Sequence, residues 1–69
     1  MTDAKVIGER LLRLRKKFDK TRKEVAEACG ISCSALTMYE TGARIPRDEI
    51  KVRLAGYYSS SVGEIFFTH

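Results

Sequence analysis

Between Thr21 and Gly42 the sequence TRKEVAEACGISCSALTMYETG has room for two helices with only Gly30, Ile31 and Ser32 between them. Thr21 and Glu24 form a capping box, in which the Thr side chain accepts from the Glu24 amide and the carboxylate reaches back to the Thr21 amide. Helix 2 therefore covers residues 21–29 and stops at Gly30, which adopts the left-handed conformation without a Cβ penalty. Ser32 can cap a helix 3 over residues 33–41 that ends at Gly42. So short a connection packs the two helices against each other at a steep angle. It also demands a small residue near the crossing, and Ala26 sits one turn before Gly30.

The flanking segments are helical as well. Ile7, Leu11, Leu14 and Phe18 recur at helical spacing and predict helix 1 over residues 5–18. Ile50, Leu54, Tyr57 and Tyr58 keep the same period in a helix 4 over residues 47–58, after Ile45-Pro46. Ser61 and Glu64 repeat the capping box ahead of a short last helix that offers Val62, Ile65 and Phe66 as apolar surface. No strand, repeat or low-complexity segment is expected, so residues 1–69 read as a single all-α domain.

Charge and cysteine content narrow the chemistry. Thirteen Lys and Arg against nine Asp and Glu give a net charge of +4, a bias toward polyanions. Cys29, Cys33 and His69 cannot supply the four ligands of a structural zinc site, so free thiols and no cofactor are expected. No apolar run reaches the roughly 18 residues of a membrane span, and the start of the chain does not resemble a signal peptide, so the expected location is the cytoplasm. No nucleophile is paired with a base, which argues against an enzyme.

Helix 1, the capped helix 2, Gly30, helix 3 and the segment YETGARIPRDEI together resemble the phage repressor and Cro type of helix-turn-helix protein, the XRE family. The resemblance covers about nine tenths of the chain. It implies a compact five-helix, lambda-repressor-like domain with helix 2 across the DNA backbone and helix 3 in the major groove. It also implies an ion pair between Arg15 and Glu40, expected to be structural.

At about 100° per residue, Ala35, Leu36 and Tyr39 share one arc of helix 3 while Ser34, Thr37, Met38 and Thr41 share the opposite one. By the resemblance, Cys33, Ser34, Thr37 and Met38 approach base edges. None of them is Arg, Lys or Gln, so the expected readout relies on hydroxyl groups and on apolar contacts with thymine methyl groups. The holding charges lie to either side. Arg22, where the family often has Gln, is the first candidate for a phosphate contact, and Lys20, Lys23, Ser32, Arg44 and Arg47 are the others.

A single unit of this kind reads few base pairs, so the resemblance implies a homodimer on half-sites about 34 Å apart. Phe66 and Phe67 are adjacent and cannot both face the core of a helix. Phe67 is therefore expected to be exposed, and to join Tyr57 or Tyr58 in a two-fold interface. The leading function is a sequence-specific, double-stranded-DNA-binding transcriptional regulator, a small repressor. The alternative is a protein-interaction module on the same fold, such as an antitoxin or a coactivator-type adaptor.

Overall fold

Short polar side chains start most of the helices. The Asp3 carboxylate accepts from the Val6 amide at 2.9 Å and opens α1 (Ala4–Lys17). The Thr21 box is complete, with the Glu24 amide donating to Thr21 Oγ1 at 3.1 Å and the Thr21 amide donating to Glu24 Oε1 at 2.9 Å, and α2 follows (Arg22–Cys29). Ser32 Oγ accepts from the Ala35 amide at 3.0 Å ahead of α3 (Cys33–Thr41). Helix α4 (Asp48–Tyr57) has no side-chain cap, and Asp48 and Glu49 in its first turn face the positive end of the helix dipole instead. Ser61 and Glu64 make the second box before a final π-helical turn (Gly63–Phe67).

These elements come from a computed structural model that describes residues 3–67, and no strand occurs among them. His69, weighed above as a metal ligand, lies outside the described residues. In both boxes the hydrogen bonds favour the ionised carboxylate, so Glu24 and Glu64 titrate below the usual Glu range. Their folded pKa values lie below the unfolded ones. The stabilisation they bring is therefore present at neutral pH and lost as pH falls through the lowered range.

Gly30 ends α2 at φ 69°, and the Ile31 amide donates back to the Ala26 carbonyl at 3.0 Å. From α4, the Arg53 guanidinium also reaches the Cys29 carbonyl, at 3.4 Å, and so ties the end of α2 to α4. Asp19 and Ser59, which end α1 and α4, take the same left-handed conformation without being glycine.

Ile7 and Leu11 of α1, Val25, Ala26 and Cys29 of α2, Leu36 and Tyr39 of α3, and Ile50, Leu54 and Ala55 of α4 make one core, closed by Tyr58, Ile65 and Phe66. Gly8 sets how near α1 comes to α3. A Cβ there would lie 2.5 Å from the Glu40 carbonyl oxygen and 2.7 Å from that of Tyr39, well inside van der Waals contact.

Tyr58 corrects the expectation that it could face a second copy of the chain. Its ring is 2% exposed and packs edge-on against Phe18 and Tyr57, because the chain turns at the end of α4 and carries it under α1. The hydroxyl is buried with no hydrogen-bond partner among the described residues. Burial pushes the phenol above its ordinary range, so it stays neutral. An unpaired buried hydroxyl costs roughly 1–3 kcal/mol, whereas an apolar group of the same shape does not. Tyr58→Phe is thus expected to raise stability by about 1 kcal/mol, read as a higher urea midpoint at unchanged slope. A loss of stability would mean that the hydroxyl has a partner.

Candidate nucleic-acid interface

Helix α3 is short and carries no charge except Glu40. Its inner arc holds Leu36, Tyr39 and Glu40, all buried, with Ala35 half-buried beside them. On the outer stripe Ser34 and Thr41 are exposed, while Thr37 and Met38 are half-buried. Met38 has a further part to play. Its carbonyl accepts from the Ala43 amide at 2.9 Å, the Arg44 amide at 3.2 Å and Thr41 Oγ1 at 3.3 Å, so the loop bearing Arg44 folds back onto the end of α3.

Glu40 is buried because two cations meet it. Arg15 of α1 donates from Nε to Oε2 at 2.8 Å and from Nη2 to Oε1 at 3.1 Å, and its Nη1 donates to the Lys20 carbonyl at 3.0 Å. The carboxylate raises the Arg15 pKa above its already high ordinary value. The second cation is Arg22, whose Nε donates to Glu40 Oε1 at 2.9 Å. Sequence reading paired Glu40 with Arg15 alone. The link to Arg22 crosses from the first residue of α2 to the last turn of α3, and no local spacing signals it.

Around α3, Glu40 lies at the edge of the buried arc, about 60° from Thr37 at 100° per residue. Arg22 is thereby fixed beside the stripe assigned to base contact. The other charges assigned to phosphate stand on exposed positions: Lys20 and Lys23 around the start of α2, Arg44 and Arg47 in the loop after α3. Arg47 lies 3.9 Å from Glu49, but both are well exposed, and such a pair is worth little. Ser32 uses its oxygen as the α3 cap and keeps its hydroxyl proton to donate.

The two thiols differ sharply. Cys33, the first residue of α3, is exposed, while Cys29 is buried and its Sγ points to the Arg53 carbonyl at 3.8 Å. Burial also pushes the Cys29 thiol up from its ordinary pKa, which lowers its thiolate fraction. Iodoacetamide is expected to modify Cys33 in the native protein on the order of 100 times faster than Cys29, which must wait for the core to open. Mass spectrometry of partly labelled protein checks this, and equal rates would contradict the burial of Cys29.

At the far end, Phe66 is buried while Phe67 is 58% exposed, with Lys51 Nζ 4.8 Å from the centre of its ring. Tyr57 is half-buried. Among the described residues no helix is long and apolar enough to cross a membrane.

A capped helix, a left-handed glycine, a second capped helix with an uncharged outer stripe, and cations to either side define a helix-turn-helix DNA-binding domain. The helix-turn-helix family profile matches residues 11–65, and the chain belongs to that family, in its phage repressor and Cro type. Over 59 residues it is 36% identical to the cryptic phage CTXphi transcriptional repressor RstR of Vibrio cholerae serotype O1, a match that covers 86% of this chain and 53% of RstR. The chain thus spans about half the length of that curated relative. No solved structure matches it.

Proposed function

We propose that this chain is a sequence-specific DNA-binding transcriptional regulator that acts in the cytoplasm as a small dimeric repressor, with residues 1–69 working as one domain. Membership of the helix-turn-helix family supports DNA binding, and similarity to a protein named as a transcriptional repressor supports the direction of the effect. In this reading Cys33, Ser34, Thr37 and Met38 meet base edges, with hydroxyl groups and apolar surface in place of bidentate side chains. Lys20, Arg22, Lys23, Ser32, Arg44 and Arg47 hold the phosphates. Phe67, with Tyr57, faces the second copy.

The observation that carries the proposal is the division of labour around α3. The outer stripe has no charge to desolvate, and exposed cations flank it at the start of α2 and in the loop beyond α3. Such an interface draws its affinity from phosphates and its preference from soft base contacts, so its binding should depend steeply on salt.

Selection from a random duplex library at two salt concentrations tests the function. Enrichment of a palindromic site is the expected result, and absence of binding even at low salt would overturn it in favour of a protein-interaction module. Arg22→Ala is expected to weaken binding to all sequences and to reduce the slope of log K against log salt by about 0.9, the release of one counterion. An unchanged slope would remove Arg22 from the phosphate contacts. Bound duplex should also protect Cys33 from iodoacetamide.

A further inference from the structure

We infer that Glu40, though buried, is a positioning residue for DNA binding: it holds Arg22 by its Nε so that the two Nη groups are presented to a backbone phosphate. The inference rests on the reading of Arg22 as a phosphate contact. The Glu40 side chain has no exposed surface, and Arg15, only 14% exposed, already supplies it with two hydrogen bonds and one neutralising charge. Arg22 is therefore not required for charge balance. Two guanidinium groups against one carboxylate leave the cluster with a surplus positive charge, and that surplus resides at the more open end, since the Arg22 side chain is 41% exposed.

The chemistry of the guanidinium makes the bridge possible. Its donors are fixed in a planar fork, so one edge can serve a carboxylate while the rest of the fork meets an anion. Arg22 engages Glu40 through Nε, and its Nη1 and Nη2 make no hydrogen bond to another described residue. A free surface arginine loses rotamer freedom when it grips a phosphate. Anchored at 2.9 Å, Arg22 has lost much of that freedom on folding. It is also the first residue of α2, where the unpaired backbone amides favour an anion on the same side.

Long-range charge and local positioning make opposite forecasts for Glu40. If the carboxylate acts on DNA only as a negative charge, then Glu40→Gln raises the net charge and tightens binding. If it positions Arg22, the same substitution weakens binding.

The test is a double-mutant cycle of Glu40→Gln and Arg22→Ala, read as the affinity for a short random-sequence duplex and its salt slope, at a temperature where circular dichroism shows each variant folded. Glu40→Gln is expected to weaken binding about fivefold in the native background, and by less than about twofold once Arg22 is alanine. Tighter binding by Glu40→Gln, or an equal loss in both backgrounds, would overturn the inference while leaving the Arg22 contact standing. If Arg22→Ala alone changes neither affinity nor slope, the phosphate reading fails and the inference falls with it.

Should Glu40→Gln not fold, Arg22→Lys decides the matter. Lysine keeps the charge but cannot hold the carboxylate and a phosphate at once, so about fivefold weaker binding at an unchanged slope is expected. Binding equal to the unmodified protein would overturn the proposal.

Discussion

Glu40→Ala is expected to cost about 3–5 kcal/mol, the loss typical of breaking a buried ion pair by removing one partner. The Glu40 side chain is wholly enclosed and accepts three hydrogen bonds, and its removal leaves Arg15 charged, 14% exposed and held under α3 by packing. A 69-residue domain has, at about 0.05–0.15 kcal/mol per residue, only about 3–10 kcal/mol of stability in all. Most molecules of the variant should therefore be unfolded or nearly so at 25 °C, which a urea titration followed by circular dichroism would show. Arg15→Ala should be of similar severity, since it strands the carboxylate instead. Arg22→Ala should lose no more than about 1 kcal/mol, because its side chain is partly open to solvent and Glu40 keeps both bonds from Arg15. A loss below 1 kcal/mol for Glu40→Ala would show that Arg15 finds another way to water.

Gly8→Ala is expected to cost about 3 kcal/mol, at the upper end of what overpacking does. Helix propensity alone favours alanine by about 1 kcal/mol, so the sign depends on the space available. There is none. The added methyl group would meet the Glu40 and Tyr39 carbonyl oxygens at 2.5 and 2.7 Å, and these are backbone atoms that cannot swing aside. To accept it, α1 and α3 must separate, which also pulls Arg15 away from Glu40. Gly56 provides the internal control. It lies in α4 with nothing beyond its chain neighbours and its own helix backbone within 4 Å of where its Cβ would stand, and the same substitution there should raise stability by about 0.5–1 kcal/mol. Thermal melts of the two variants in parallel check both signs, and a neutral Gly8→Ala would mean that the helices part without cost.

Much of the fold was legible because its signals are local. The Thr21 and Ser61 boxes, the stop at Gly30, and the periodic Ile7, Leu11, Ile50 and Leu54 each depend on residues within a turn or two of one another. The exposure of Phe67 beside a buried Phe66 follows from the same geometry, since neighbours on a helix diverge. The candidate interface was legible to a lesser degree. Helix α3 and its uncharged stripe could be placed, but not the loop that folds back to the Met38 carbonyl, nor the burial of Tyr58, which depends on where the chain turns after α4.

The sequence by itself determined the order and limits of the helices, the turn between α2 and α3, and the separation of an uncharged stripe on α3 from the cations that flank it, because capping and periodicity act over a few residues. Only the tertiary structure decided that α3 passes too close to Gly8 to admit a Cβ, that Tyr58 belongs to the core, and that Arg22 shares Glu40 with Arg15. Those residues are far apart in the chain, and their partnership exists only once three helices have packed around one buried carboxylate.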